Sequence, residues 1–281
     1  MELYLISLMT VAALNVMLAV GLNMISGFCG QISLGHAAFY GLGAYAAALA
    51  AVAGGPFIGN LLIGVAVAAL IGFFVGIISL RVREDFLAIA TMGVGFLFLG
   101  FVRKQDWLGA EMGISRIPAP PLDRTSFAVL CVGLAAAIVA LSLHIGRSWM
   151  GRTLNAVAQD EDAARTIGVN VPRFKLAAFT IGTAAAGLAG GLYAYMTQLI
   201  VPDAFNFIQS VTILAMVVIG GIGSTWGAVA GAIILTLMPE AFRFINDYKL
   251  LVYGALLLVV MRFANGGIAG IANALITRIR S

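Results

Sequence analysis

The sequence is poor in charge. Only 10% of its 281 residues are Asp, Glu, Lys or Arg, against about 25% in an ordinary soluble domain, so a water-facing globule is excluded. Cysteine is nearly absent. Cys29 and Cys131 are far apart in sequence and set in apolar surroundings, which excludes a disulfide framework or a thiolate metal site. Histidine is as scarce, and His36 and His144 have no acidic or cysteine neighbours at ligand spacing. With no nucleophile, general base or metal cluster in view, neither an enzyme nor a bound cofactor is expected. No glycine-rich loop ends in Gly-Lys-Ser/Thr, so the chain has no visible nucleotide site of its own. A net charge of +4 is small for this length, and it fits orientation in a bilayer better than affinity for nucleic acid.

What the chain has in abundance is apolar surface and glycine: 62% of residues are hydrophobic and 34 are Gly. Small residues let helices approach closely where lipid removes the usual drive to exclude water. Apolar segments long enough to cross a bilayer recur at 3–25, 37–53, 57–80, 86–102, 126–145, 176–200, 210–222, 226–242 and 250–261. None alternates as a membrane barrel strand would, so helices are the expected spans. The expected fold is all-α: a polytopic transmembrane helical bundle of about eight to ten spans, with broken helices, forming a single domain over residues 1–281. The thirteen-residue run 210–222 is short for a full crossing, which suggests re-entrant or broken elements. Segment 3–25 is too long for a cleavable signal and lacks its basic flank, so it reads as a retained first span.

An odd number of spans puts the two ends on opposite sides. With the N-terminus outside, ten of the 16 basic residues fall on inner segments: Arg81, Arg83, Arg147, Arg152, Arg165, Arg173, Lys175, Arg262, Arg278 and Arg280. Arg103, Lys104, Arg116, Arg124, Arg243 and Lys249 fall outside. That bias favours a cytoplasmic C-terminus and a cytoplasmic position for the polar segment 147–175. The spans lack ionisable groups except His36, His144, Glu240 and Arg262 near their ends, which argues against a proton-coupled carrier.

Two glycine-rich interruptions stand out. The first runs over residues 27–39 and holds Gln31, Ser33 and His36; the second runs over 220–227 and holds Gly220, Gly221, Gly223 and Ser224. Ser33, and Ser224 or Thr225, each precede a new apolar run, where a hydroxyl can cap the next helix. Broken segments in two halves of a transporter point to a translocation path. Close packing alone is the competing reading, because Gly72/Gly76, Gly187/Gly191 and Gly227/Gly231 show the same four-residue spacing. Three polar side chains together in lipid are costly unless satisfied.

The longest polar run, 151–175, has the marks of a short helix: Asp160, Glu161 and Asp162 in its first turn, Arg165 one turn on, Gly168 after the last turn and Pro172 beyond. Acids at the positive end of the dipole, a C-terminal glycine and a later proline are start and stop signals. Leu154, Val157, Ala164 and Ile167 are expected to form the apolar side of the hairpin. Asp162-Ala163-Ala164-Arg165-Thr166-Ile167-Gly168 resembles the Glu-Ala-Ala-three-residues-Gly loop of membrane subunits of ATP-binding-cassette importers, with Asp in place of Glu. In those proteins this loop is the coupling helix, seated in a cleft of the ATPase.

The run GLNMISGFCGQISLGHAAFYGLGAYAAAL is similar to the N-terminal signature of branched-chain amino-acid permeases, the LivM type rather than its LivH partner. Residues 152–175, then Pro202, Phe205, Ser210, MVVIGGIGSTWGAVAGA and Met238-Pro239-Glu240 continue the likeness in order. The departure lies in 107–114, which lacks the paired glycines of the family. The resemblance implies a permease of the bacterial or archaeal plasma membrane, paired with a second, LivH-like permease, two ATPase subunits and an extracytoplasmic solute-binding protein. It implies passage of small amino acids, branched-chain first. Urea or short amides, a sugar-type permease, a stand-alone secondary carrier and an assembly subunit stay open at this point.

Overall fold

A computed structural model describes residues 2–79 and 84–241, with 251–252, 254–255, 258, 262 and 266–270. Among these residues the chain is helical, and the strand-like pairing is one isolated bridge between Ile114 and Ile200. Helix α1 (Glu2–Leu22) continues through a π-helical turn, Asn23–Gly27, and α2 (His36–Val52) follows a short turn. Next come α3 (Phe57–Ser79), α4 (Glu84–Lys104) and α5 (Arg124–Arg147). The hairpin α6 (Trp149–Gln159) and α7 (Glu161–Thr166) precedes α8 (Val171–Thr197), α9 (Phe207–Gly220) and α10 (Thr225–Ala241). Among the described residues six stretches are long and apolar enough to cross a membrane: Glu2–Gly27, Phe57–Ile78, Phe86–Lys104, Arg124–Arg147, Val171–Thr197 and Pro202–Gly220. The helices His36–Val52 and Thr225–Glu240 are shorter apolar companions. Eight of the nine apolar segments thus coincide with helices, while 250–261 lies mostly outside the described residues. Arg81, Arg83, Arg243, Lys249, Arg278 and Arg280 lie outside them too.

The centre of the bundle is α8, packed against α1, α2 and α3. Glycine makes that possible. A methyl group on Gly190 would come within 2.0 Å of the Tyr40 carbonyl oxygen, and one on Gly43 within 2.3 Å of the Gly187 carbonyl oxygen. Backbones therefore touch directly, and dispersion over a close seam takes the place of large side chains. The same holds at Gly231 against the Met216 carbonyl, while Gly72 makes room for the Thr183 side chain.

One end of the bundle bears the α6–α7 hairpin. The far end is tied by side-chain pairs between distant parts of the chain: Tyr4 with Glu240, Arg103 with Asp203, and Asn60 Nδ2 with the Tyr195 hydroxyl at 2.7 Å. From this far end, residues 198–206 turn down into the bundle. Ile200 and Phe205 are buried there, Phe205 meeting Tyr40 edge-on at a centroid distance of 5.1 Å. Helix α9 then opens with Phe207 and Ile208 exposed, and residues 202–206 extend the short run 210–222 so that Pro202–Gly220 as a whole is long enough to cross.

Candidate functional site

The two interruptions meet. At the end of α1, a methyl group on Gly27 would lie 2.5 Å from the Gly223 nitrogen, and the Gly223 N–H donates to Asn23 Oδ1 at 2.9 Å. Asn23 carries this contact from within the π-helical turn. It was not among the residues singled out above, although a lone amide in an apolar run is itself a signal.

The second interruption is a tight turn between α9 and α10. Gly221 (φ +117°) and Gly223 (φ +85°) adopt backbone conformations that side chains disfavour. Gly220 abuts the Gly227 carbonyl oxygen, 2.0 Å from where its Cβ would stand. Ser224 caps α10 as expected, its Oγ accepting from the Gly227 N–H at 3.1 Å. Thr225 does not share that task, because its hydroxyl pairs with Ser142 of α5 at 3.0 Å.

The first interruption is a turn at the hairpin end, and α2 then starts back inside the bundle. His36, the first residue of α2, is fully buried beside Gly21 of α1. Gly21 lies six residues before Gly27, or about 9 Å along the helix. Expectation fails at the cap. Ser33 Oγ bonds nothing, and Gly35 occupies the cap position without a side chain to offer. Other helices cap α2 instead. Thr91 Oγ1 of α4 accepts from the Leu34 N–H, and Ser210 Oγ of α9 accepts from the Ala37 N–H, each at 3.0 Å. Gly35 lets α4 approach, since its Cβ would stand 2.1 Å from the Thr91 carbonyl oxygen. Ser26 Oγ closes the turn by donating to the Gln31 carbonyl at 3.0 Å.

These caps leave a set of buried polar atoms without a hydrogen bond: Asn23 Nδ2, Gln31 Oε1, Ser33 Oγ and both ring nitrogens of His36, which has the Leu18 carbonyl beside it. Unmet groups of this kind cost about 1–3 kcal/mol each, and such a concentration calls for an explanation.

The hairpin is built as a rigid unit. Ser148 caps α6, and Asp160 is the cap of α7 rather than part of its first turn, its Oδ1 accepting from the N–H groups of Asp162 and Ala163 at 2.9 Å. Arg165 pairs with Glu161 at 3.2 Å and with Asp162 at 3.3 Å. Gly168 (φ +85°) ends the helix, and the Val169 N–H closes back onto the Ala164 carbonyl at 3.1 Å. Leu154, Val157 and Ala164 are buried, as the apolar pattern requires. Ile167 is the exception at 76% exposed, bordering a cavity between α6 and the start of α8.

Several contacts join the hairpin to the bundle, among them the Trp149 ring on Phe174 and the two that follow. Glu161 forms an ion pair with Lys175, which is only 7% exposed at the base of α8. Ala158 of α6 packs on Gly30, in the turn that leads to α2. The exposed face of α7 and the buried start of α2 thus belong to one contiguous set of contacts.

The model of the family described as "Branched-chain amino acid transport system / permease component" matches residues 4–261. The chain belongs to this family. It is 34% identical to the high-affinity branched-chain amino acid transport system permease protein LivM of Escherichia coli K12, over 91% of this chain and 68% of that protein. It is 28% identical to LivH of the same strain, over 93% of this chain and 92% of LivH. A probable branched-chain amino acid transport permease protein LivM of Methanocaldococcus jannaschii is 22% identical over 75% of this chain and 68% of its own length. Among solved structures, PsaBC from Streptococcus pneumoniae in complex with Fab gives a TM-score of 0.47 at 17% identity, covering 92% of this chain and 88% of that one. The permease is a multi-pass membrane protein and the membrane subunit of an ATP-binding-cassette importer, working with other subunits rather than as an enzyme.

Proposed function

We propose that this permease carries branched-chain aliphatic amino acids inward, driven by ATPase subunits that grip α7 on the cytoplasmic side. A LivH-like permease completes the pore, and an extracytoplasmic binding protein delivers solute to the far end. The N-terminus then faces outward. The observation that carries the reading is the build of α7: capped at both ends, pinned to α8 through Glu161 and Lys175, and presenting Ile167 outward. An exposed isoleucine at the end of α7, next to exposed Thr166 and Gly168, offers an apolar anchor for a partner. Force applied there reaches Gly30 through Ala158, and hence the start of α2.

The solute path passes the junction of the two interruptions. A zwitterion needs donors and acceptors without net charge, and Asn23 Nδ2, Gln31 Oε1, Ser33 Oγ and the His36 ring offer both from atoms without a hydrogen bond among the described residues. Gly220, Gly221, Gly223 and Ser224 form the other wall.

The test is Ile167→Glu. The side chain is exposed, so insertion and folding are expected to be unchanged, while ATP-dependent leucine uptake by the assembled transporter falls at least about tenfold and co-purification of the ATPase weakens. Full uptake by this variant overturns the reading. Ala164 is unsuitable for that experiment, because it faces inward and a charge there would unseat the hairpin itself.

A further inference from the structure

Where the hairpin meets the ends of α5 and α8 there is a cavity of about 820 Å³, separate from the junction of the interruptions. Arg152 and Arg173 stand among its walls with Trp149, Met150, Phe174 and Ala177. The long apolar stretches flanking it end at Arg147 and begin at Val171, so it straddles the boundary between hydrocarbon and the polar layer. Trp149 is 68% exposed there and meets Phe174 edge-on at 5.4 Å. Exposed tryptophan at a span end belongs to the interfacial belt.

The two arginines are not neutralised. Arg152 donates to the Arg147 carbonyl at 3.1 Å, and neither guanidinium pairs with a carboxylate among the described residues. The acids closest in sequence are already engaged: Asp160 as a helix cap, Glu161 and Asp162 with Arg165, and Glu161 also with Lys175. What remains is an apolar floor running along α8 into the membrane beneath two planar cations whose donors match a phosphate.

We propose that this cavity binds the headgroup phosphate of an anionic phospholipid, one acyl chain lying along Phe174 and Ala177. Ile167, Gly168 and Val169 line the same cavity, so a bound lipid touches the corner between α7 and α8 and shares Ile167 with the ATPase contact proposed above. The inference stands on the membrane setting of the chain and not on ATPase docking at α7.

The experiment uses the full chain carrying Trp107→Phe and Trp226→Phe, both exposed positions, which leaves Trp149 as the sole indole. It is placed in phosphatidylcholine nanodiscs containing a minor fraction of brominated phosphatidylglycerol or brominated phosphatidylcholine. Brominated phosphatidylglycerol is expected to quench Trp149 at roughly thirtyfold lower mole fraction, the scale set by two arginines at an anionic surface. Arg152→Gln with Arg173→Gln abolishes the preference, and Arg152→Lys with Arg173→Lys retains part of it. Added inorganic phosphate leaves it unchanged. Equal quenching by both lipids, quenching by neither, or displacement of the lipid by inorganic phosphate overturns the proposal, as does protection of Trp149 from every lipid by the ATPase in the assembled transporter.

Discussion

At the second interruption the chain caps itself: Ser224 accepts the N–H of Gly227, three residues on. At the first, Ser33 caps nothing, and the start of α2 borrows hydroxyls from α4 and α9. Both turns are glycine-rich and both end in a helix, yet they differ in what keeps them closed. The second turn keeps its helix cap however the surrounding helices move, although its Gly223 N–H is also held by Asn23 at the end of α1. The borrowed caps hold only while α2, α4 and α9 stay in register, so the first turn senses its neighbours.

The largest effects should erase the contrast. Gly35→Ala and Gly220→Ala each drive a methyl group into a carbonyl oxygen, at 2.1 Å and 2.0 Å. Both should lose about 2 kcal/mol or more of stability, in the range of overpacked cores, with a clear drop in the unfolding midpoint in detergent. Wild-type stability for Gly35→Ala alone would mean that α4 can draw back from α2 at little cost.

The next comparison sharpens it. Ser210→Ala leaves the buried Ala37 N–H without an acceptor and should cost about 1–3 kcal/mol. Ser224→Ala removes a partly exposed cap and should cost about 1 kcal/mol. Hydrogen exchange separates the two better than midpoints do. Amides at the start of α2 should speed up in Ser210→Ala and stay slow in Ser224→Ala, and equal acceleration in both would break the distinction. The smallest effect belongs to Ser33→Ala, which removes a hydroxyl that bonds nothing. Stability should not fall, because the unmet hydroxyl costs about 1–3 kcal/mol and its loss leaves only a small void, so a drop in leucine uptake would report on passage and not on folding.

Much of this was legible beforehand. Glycines clustered with hydroxyls mark both interruptions because local chemistry makes them, and Asp160 through Gly168 announce a capped helix for the same reason. Caps given across the fold left no trace. Thr91 and Ser210 are single hydroxyls in apolar runs, like several that bond only their own helix, for example Thr180 to Leu176. The outward turn of Ile167 was hidden as well, because a six-residue helix is too short for periodicity to decide which apolar residue faces in. Asn23 was readable in principle, since an amide at that depth needs a partner.

Helix α9 touches both interruptions. Ser210, in its first turn, holds the start of α2, while Gly220 at its other end opens the second turn, ten residues or about 15 Å away. A helix resists compression along its axis far more than a loop does, so α9 works as a connecting rod. A displacement at Gly221 is then passed toward Ala37, and the two interruptions cannot shift independently while that rod is whole.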